Sequence, residues 1–364
     1  MTHTINDIPT PALVIDAVVV RRNLARFADY SRQHKLAIRP HTKTHKSKRL
    51  AALQLETGCR GLTVAKVGEA EVMADVCNDL LLAYPALDSH RTTRIAKLAA
   101  TNTMRVAIDS QEAAQSLGLA ARNVGTTIGI LVDLDVGMGR TGVQSPEAAW
   151  TLAEVVNQTQ GLRLDGLMCY PGHIWQPYRE QAPALREVAS RLEAALAIWK
   201  QHGVRARIVS GGSTPTALQS HLVPQFTEIR PGTFIFNDMN TVRGGWASFE
   251  DCAACIICTV VSNAVPGQVV LDAGSKTLTS DRCNPAPDSG HGYLVEYPDA
   301  IVAKLSEEHG QVDIRNCDRV PQLGERVTVI PNHICPCVNL QDSAWWLEDA
   351  RIEPLIIEGR GKLS

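Results

Sequence analysis

The sequence predicts an α/β protein made of a (β/α)8 barrel of the TIM type followed by a smaller all-β domain. Between Leu36 and Pro231, eight short β-rich runs alternate with helical patterns, and this alternation requires crossover connections and a parallel sheet. After Gly244 the helical patterns stop, and short strands separated by Gly, Pro and Asp follow. Eight units in about 195 residues fit a closed barrel better than an open doubly wound sheet, which stays the alternative.

The predicted barrel elements are short strands bounded by turn residues and helices with apolar residues at helical spacing. The strands are Leu36–Pro40, Gly61–Val64, Leu80–Ala83, Met104–Ile108, Thr127–Asp133, Leu164–Tyr170, Ala206–Ser210 and Phe226–Ile229. The helices include Lys48–Glu56, Gly68–Val76, Ser89–Ala100, Gln111–Ala121, Pro146–Gln158 and Pro183–His202. A further strand, Ala12–Ile15, precedes the first helix, for which Asp16 is a good N-cap.

The C-terminal region predicts short strands only. They are Cys255–Ser262, Gln268–Asp272, Gly292–Val295, Val312–Ile314, Arg326–Ile330, Val338–Leu340 and Ala350–Ile357. We therefore predict a barrel domain over residues 12–243 and a β domain over residues 244–364, to which residues 1–11 are added.

The composition excludes several classes of protein. The chain of 364 residues has 36 basic and 38 acidic side chains, whereas a protein that binds nucleic acid or anionic membranes shows a basic surplus. No apolar run approaches the ~18 residues of a membrane span. Residues 1–9 lack the basic start and apolar stretch of a secretory signal. These features predict a cytoplasmic protein that binds neither nucleic acid nor a membrane.

The predicted barrel places candidate catalytic residues at its C-terminal face, where the strands of this fold end. The first strand is followed by a basic segment, Arg39–Arg49, in which Lys43 comes directly after the strand. A lysine at a barrel mouth, partly desolvated and among other cations, can form a Schiff base with a carbonyl group. The alternative is a solvated basic patch or a nucleic-acid contact.

The loops after predicted strands seven and eight are rich in small residues that let backbone N–H groups approach phosphate oxygens. The residues concerned are Ser210, Gly211, Gly212, Ser213 and Thr214 in one loop and Gly232 and Thr233 in the other. A lysine after strand one together with a phosphate site after strands seven and eight is what a pyridoxal phosphate barrel needs. Three more residues, Arg140 after strand five and Tyr170 and His173 after strand six, are candidates to contact the cofactor ring.

The β domain contains the segment PNHICPCVNLQD, with His333, Cys335 and Cys337. On a strand, residues two apart share a face, so these three side chains are expected to point the same way. Imidazole and thiolate suit zinc, and a catalytic zinc site leaves positions open for water or substrate. A His-x-Cys pair alone is a weak signal for a metal, and the role of Cys337 stays open.

Several motifs together resemble the D-threonine aldolase and D-serine dehydratase-like family. They are RPHTKTHK, GMGRTG, GLMCYPGH, VSGGSTPT, EIRPGTFIFND, VVLDAGSKTLTSD, LSEEHG and PNHICPCVNL, and the likeness spans nearly the whole chain. The resemblance implies fold type III of pyridoxal phosphate enzymes, shared with alanine racemase, and a homodimer. It also implies that Lys43 holds the cofactor and that His333 and Cys335 bind a divalent metal, zinc in the first place, with manganese or magnesium as alternatives.

The resemblance further implies a lyase acting on D-3-hydroxy-α-amino acids. Removal of the β-hydroxyl proton, by His45 or by a hydroxide on the metal, leads to retro-aldol cleavage of D-threonine into glycine and acetaldehyde. Removal of the Cα proton by Lys43 instead leads to elimination, as in dehydratases of D-serine or D-threo-3-hydroxyaspartate, with a 2-oxo acid and ammonia as products. The overall pattern favours the aldolase, whereas His-x-Cys resembles the zinc pair of the dehydratases.

Two other functions stay open at this point. A non-catalytic protein that only binds pyridoxal phosphate would not need a complete β domain with PNHIC. An amino-acid racemase would need a tyrosine from the β domain opposite the lysine, and the candidates there, Tyr293 and Tyr297, lie in no motif of that kind.

Overall fold

The computed structural model of the chain describes residues 5–364 and divides into two compact units. A barrel unit comprises residues 26–43, 48–232 and 361–364, and a β unit comprises the described residues up to 25, residues 44–47 and residues 233–360. The chain begins with strand β1 (Ala12–Asp16) and helix α1 (Ala17–His34). Asp16 caps this helix as predicted, because its Oδ1 accepts hydrogen bonds from the backbone N–H groups of Val18 and Val19.

The barrel unit contains eight parallel strands, among the residues that the structure describes, in the spatial order β2-β9-β8-β7-β6-β5-β4-β3. Their bounds are β2 Ala37–Ile38, β3 Leu62–Val64, β4 Asp79–Leu82, β5 Thr103–Ile108, β6 Ile128–Asp133, β7 Leu162–Met168, β8 Ile208–Gly211 and β9 Glu228–Ile229. A parallel bridge between His41 and Thr63 joins the continuation of β2 to β3, so the pairing runs around the whole sheet. The predicted eight-stranded barrel is confirmed.

The helices that connect the barrel strands lie close to their predicted positions. After α1 they are α2 Lys48–Glu56, α3 Val67–Met73, α4 Ser89–Ala99, α5 Gln111–Val124, α6 Pro146–Gln158 and α7 Ala182–Gln201. No helix among residues 5–364 is long and apolar enough to cross a membrane.

Ion pairs as well as apolar side chains fill the barrel interior. Arg39, which is completely buried, donates to Glu228 on β9 at 2.9 Å and to Asp79 on β4 at 2.6 Å. Arg105 on β5 donates to Asp165 on β7 at 2.7 Å. Since β5 and β7 are not neighbours in the sheet, this bond crosses the inner face of the barrel.

The β unit is built on a nine-stranded sheet whose main path is β13-β14-β11-β10-β1-β16-β17, with β15 paired to both β10 and β12. The remaining bounds are β10 Ala254–Ser262, β11 Gln268–Leu271, β12 Tyr293–Leu294, β13 Ile301–Leu305, β14 Gly310–Asp313, β15 Arg326–Ile330, β16 Ser343–Glu348 and β17 Arg351–Ile356. Three short helices belong to the same unit: α8 Met239–Arg243, α9 Ser275–Leu278 and α10 Ile334–Asn339. The predicted strand Val338–Leu340 is therefore wrong, since most of it is helical, and β13 and β16 are additional strands.

The predicted domain boundary between residues 243 and 244 differs from the division of the structure. Residues 12–25, 44–47 and 233–243, which were assigned to the barrel, belong to the β unit. The first of these segments joins the β unit because its strand, β1, pairs antiparallel with β10 and parallel with β16. Of residues 1–11, which were assigned to the β domain, residues 5–11 lie in the β unit and residues 1–4 lie outside the described residues.

Candidate active site

Lys43 lies in a single turn, Thr42–Thr44, that follows β2 at the C-terminal face of the barrel. The Thr42 hydroxyl donates to the carbonyl of Thr63 at 3.1 Å, which fixes the turn against β3. Thr42 and Thr44 are buried, whereas the Lys43 side chain is exposed. The expected desolvation of Lys43 is thus not observed, but the turn does present a lysine amine at the barrel mouth.

Arg140, Tyr170 and His173, predicted after strands five and six, come together in the loops that follow β6 and β7. The Arg140 guanidinium lies over the Tyr170 ring, 4.8 Å from its centroid. His173 packs on Gly137, where a Cβ atom would lie 2.9 Å from the imidazole Nε2. Asp135 folds the Gly137–Gly139 turn by accepting its backbone N–H groups, so this aspartate serves the turn itself.

The loops after β8 and β9, predicted to bind phosphate, are joined to each other. The backbone N–H of Gly232 donates to the Thr214 hydroxyl at 3.3 Å. The Ser213 hydroxyl lies 3.0 Å from that of Thr216, and Gly212 adopts a φ of 76°, a left-handed conformation that favours glycine. Hydroxyl and amide donors at the ends of adjacent parallel strands are the donor set that a phosphate group needs. The structure therefore fits a bound phosphate here, whereas Gly211, predicted in this loop, is the last residue of β8.

Ser210 and Arg230 form a buried polar link beneath these loops. The Ser210 hydroxyl donates to Glu228 at 2.7 Å and accepts from Arg230 at 2.8 Å, and Arg230 also donates to the carbonyl of Cys169 at 2.8 Å. Burial lowers the pKa of Arg230, although the Cys169 and Glu228 groups act in the opposite direction. The sequence analysis overlooked this cation; its position directly after strand eight was the available signal.

Asp133, at the end of β6, is a buried carboxyl at the same face of the barrel. It accepts a hydrogen bond from the Thr141 hydroxyl at 2.9 Å. Burial raises the pKa of Asp133 to about 6, while Thr141 and Arg230 act in the opposite direction.

We expect Asp133→Asn to gain stability relative to the wild type as the pH rises. Because the folded-state pKa of Asp133 lies above its ordinary value of 3.8, the wild type loses stability between about pH 4 and pH 7 as this carboxyl ionises. A shift of about two units corresponds to roughly 2–3 kcal/mol. Urea unfolding of both cofactor-free proteins at pH 4 and pH 7.5 measures the difference, with Asp313→Asn as control, because the hydrogen bond to Arg315 lowers the pKa of Asp313 to about 2 and so places its ionisation below this pH range. An unchanged difference between wild type and Asp133→Asn at the two pH values would contradict the assignment.

His333 and Cys335 lie at the start of α10 rather than on a strand, with His333 as its N-cap. The expectation of one shared strand face is therefore wrong, yet the two side chains are hydrogen-bonded to each other. Burial alone would lower the pKa of His333, but the hydrogen bond to Cys335 raises it to about 9. Burial alone would raise the pKa of Cys335, but the hydrogen bond and charge of His333 bring it below its ordinary value. The pair thus favours a thiolate, the form that binds metal.

Thr44 and Thr233 place hydroxyl groups beside the Cys335 sulfur. Thr44 Oγ1 lies 3.2 Å and Thr233 Oγ1 lies 3.5 Å from Cys335 Sγ. Thr233, predicted to contact the cofactor, thus contacts this thiol, and its contact with a phosphate stays a prediction. Thr44 is the next residue after Lys43, so the chain links the lysine directly to the surroundings of Cys335.

Asp238, which the sequence analysis did not single out, fixes the backbone that carries the pair. Its Oδ2 accepts from the N–H of Ile334 at 3.1 Å, and its Oδ1 accepts from the N–H of Thr241 at 3.0 Å. Burial raises the pKa of Asp238, while the charge of His333 acts in the opposite direction.

The donor set around His333 and Cys335 suits zinc, because it combines an imidazole and a thiolate. Within residues 5–364, no group of three or more His, Cys, Asp or Glu side chains is placed to hold a metal ion. The pair would therefore supply two protein ligands to a metal. Cys337 does not extend the pair: it is completely buried, with its sulfur 3.3 Å from the carbonyl of Leu278, and burial raises its pKa.

His45 is buried in the β unit, and its Nδ1 accepts a hydrogen bond from the backbone N–H of Ser47 at 3.1 Å. A neutral imidazole that accepts at Nδ1 carries its proton on Nε2. In this arrangement His45 presents a proton donor at Nε2. Its predicted role as a base would require a different protonation state.

Two sequence families match the chain. Residues 15–240 match the alanine racemase N-terminal domain, and residues 253–346 match a putative serine dehydratase domain. The chain is 29% identical to a D-threonine aldolase from Arthrobacter sp. over 96% of this chain and 91% of the relative. It is 31% identical to the D-threo-3-hydroxyaspartate dehydratase of Delftia sp. (strain HT23) over 92% of this chain and 93% of the relative.

Solved structures give the same result. A D-threonine aldolase from Filomicrobium marinum superimposes with a TM-score of 0.91 at 27% identity, covering 99% of this chain and 98% of that chain. The D-threo-3-hydroxyaspartate dehydratase of Delftia superimposes with a TM-score of 0.90 at 26% identity, covering 97% and 98%. A variant of that dehydratase, with a cysteine replaced by alanine, was solved in a metal-free form.

Proposed function

The chain belongs to the family defined by the alanine racemase N-terminal domain, here followed by a serine dehydratase domain, and we propose that it is a metal-assisted lyase of D-3-hydroxy-α-amino acids. Relatives of near full length are aldolases and dehydratases, and the chain is accordingly a pyridoxal phosphate-dependent lyase. The observation that carries the proposal is the His333–Cys335 pair, whose sulfur also contacts Thr44, the residue after Lys43.

The cofactor would be held by residues of the barrel unit. Lys43 would bind it covalently, the joined loops around Thr214 and Gly232 would bind its phosphate, and Arg140 with Tyr170 would border its ring. Pyridoxal phosphate supplies an electron sink for the pair of electrons released at the substrate Cα.

The metal would be held by His333 and Cys335. A divalent ion with open positions polarises the substrate β-hydroxyl. The thiolate favours zinc, with manganese or magnesium as harder alternatives. The metal-free form of a cysteine variant of the Delftia dehydratase supports a link between a cysteine and the metal in this family.

The reaction then depends on which proton the chain moves. The first candidate reaction is retro-aldol cleavage of D-threonine into glycine and acetaldehyde. It requires a base that would take the proton of the β-hydroxyl. The likeness to D-threonine aldolases over nearly the whole chain supports it. In this reaction His45 would act as base only after losing the Ser47 hydrogen bond or changing its protonation state.

One observation favours a second candidate, elimination to a 2-oxo acid and ammonia. The ring proton of a neutral His45 is on Nε2, since its Nδ1 accepts the N–H of Ser47. A proton donor assists the departure of a hydroxyl group, and the amine of Lys43 would take the Cα proton. D-Serine and D-threo-3-hydroxyaspartate are the substrates that correspond to this candidate.

We expect the purified protein, supplied with pyridoxal phosphate and zinc, to convert D-threonine into glycine and acetaldehyde. The assay compares D-threonine, D-serine and D-threo-3-hydroxyaspartate, with L-threonine as the stereochemical control, and measures aldehyde, 2-oxo acid and ammonia separately. Release of 2-oxobutanoate and ammonia from D-threonine would reject the first candidate in favour of the second. Absence of any product from all three D-substrates would contradict a lyase of this class.

The tyrosines that a racemase would need are engaged elsewhere in the β unit. The Tyr297 hydroxyl donates to Glu325 at 2.6 Å, and the Tyr293 ring packs against Phe249. These contacts weigh against racemization. Assembly as a homodimer, which the resemblance implies, stays part of the proposal and is measured by the mass of the protein in solution.

A further inference from the structure

The Asp281 carboxylate lies beside the imidazole of His333. Its Oδ2 is 2.9 Å from Nδ1 of His333. Asp281 itself is held in place through its backbone, because the Asn332 side-chain amide donates to the Asp281 carbonyl at 3.0 Å and to the Gly290 carbonyl at 2.8 Å. Asn332, which directly precedes His333, therefore holds the backbone of Asp281, the residue whose carboxylate contacts the His333 imidazole.

This contact decides which nitrogen of His333 is available to a metal. A carboxylate is only an acceptor, so the imidazole must donate its Nδ1 proton to Asp281. The lone pair for a metal then lies on Nε2. The Cys335 sulfur has polar neighbours of its own, Thr44 at 3.2 Å and Thr233 at 3.5 Å, so both of the proposed metal-binding side chains have neighbours that orient them.

We propose that Asp281 is the positioning residue of the metal site, which holds His333 in the Nδ1-protonated tautomer and aims Nε2 at the metal. This inference rests on the proposed function, because it takes His333 and Cys335 as the metal ligands. Outer carboxylates of this kind fix ring orientation and increase the basicity of the ligand, and their loss costs about 10–100-fold in metal affinity. Asp281 is half-exposed and is not expected to contribute much to folding.

The experiment measures zinc affinity by competition with a chromophoric chelator, using the full chain with bound pyridoxal phosphate. Wild type is compared with Asp281→Asn and Asp281→Ala. We expect Asp281→Ala to bind zinc about 10–100-fold more weakly. Asp281→Asn, whose amide oxygen can still accept from Nδ1, should lie between Asp281→Ala and wild type. Asp313→Asn, which removes a partly exposed carboxylate paired with Arg315 in the same unit, is the matched control and should bind as wild type does.

A second readout separates positioning from a general structural role. Cobalt(II) bound to the wild type should show thiolate-to-metal charge-transfer absorbance from Cys335, and the variants should show it only at higher cobalt concentrations. Cofactor absorbance and thermal midpoint should stay as in the wild type. Zinc affinity of Asp281→Ala equal to that of the wild type would overturn the role of Asp281 and leave the metal pair standing. A wild type that binds neither zinc nor cobalt would overturn the metal pair as well.

Discussion

Lys43→Ala is expected to abolish covalent binding of pyridoxal phosphate and to reduce lyase activity by at least ~10²-fold, the lower end of what a positioned acid–base group contributes. Lys43 presents an exposed side chain on a buried turn after the first barrel strand. Two other lysines, Lys46 and Lys66, are engaged by neighbouring side chains. The Lys46 amine donates to Asn339 at 2.7 Å, and the Lys66 amine lies over the Tyr84 ring, 3.7 Å from its centroid.

The measurement is the visible absorbance of the protein-bound cofactor, followed by borohydride reduction and mass analysis of peptides. Wild type should carry a reduced pyridoxyl group on Lys43. Lys66→Ala is the matched control and should keep both the band and the modified Lys43 peptide. A modified peptide containing Lys46 or Lys66 in the Lys43→Ala protein would place the cofactor lysine there instead.

The barrel was predictable because its signals are local. The start of α4 at Ser89 follows from Asp88, whose carboxylate accepts the N–H of Arg91 at 3.0 Å, within one turn of chain. Helix α6 begins at Pro146 after Ser145, which caps it in the same way. Such caps and the alternation of strands and helices are written into short stretches of sequence, so both the elements and their order could be derived.

The β unit was harder to predict because distant residues decide its structure. The apolar residues of 338–340 suggested a strand, but α10 forms there, with the N–H of Ile334 bound by Asp238 from 96 positions away. Strand β16 is likewise supported by a partner far away in the chain, since Val14 on β1 pairs with Trp345. No local pattern reveals contacts of this range.

The same distinction separates the site residues that were predicted from those that were overlooked. Lys43 and the small residues near Thr214 follow directly from the ends of predicted strands. Asp238 and Asp281 act on the His333 loop from about 95 and 52 positions away. Each is the last residue of a motif quoted for the resemblance, EIRPGTFIFND and VVLDAGSKTLTSD, but nothing in either motif points to His333. Only the fold shows that these carboxylates meet one loop.

Cys335→Ala is expected to remove most of the bound metal while leaving the cofactor in place. The Cys335 thiolate is one of the two proposed protein ligands of the metal. Its loss should therefore weaken zinc binding by more than ~100-fold, the largest loss expected when a residue that only contacts a ligand is removed. The residues of the predicted cofactor site other than Thr233 belong to the barrel unit, and the cofactor absorbance should therefore persist. Metal content after dialysis, together with the activity on the D-amino acid that proves to be the substrate, measures the effect.

Cys337→Ala is the matched control, because Cys337 is a cysteine two residues away whose sulfur is buried against the Leu278 carbonyl. It should retain the metal and the activity. Full metal content in Cys335→Ala together with loss of metal in Cys337→Ala would show that Cys337, and not Cys335, is the metal ligand. Retention of metal in both variants would place the metal elsewhere in the protein.

Cys335→Asp separates the loss of a ligand from a change in its chemistry. A carboxylate at this position again supplies a negatively charged donor, but a harder one, so manganese and magnesium should gain relative to zinc. Metal binding should therefore return in Cys335→Asp with this altered preference, while Cys335→Ala stays empty. The product ratio of Cys335→Asp also tests whether the ligand directs the reaction. A changed ratio of aldehyde to 2-oxo acid in Cys335→Asp relative to the wild type would show that the metal ligand selects between elimination and carbon–carbon cleavage.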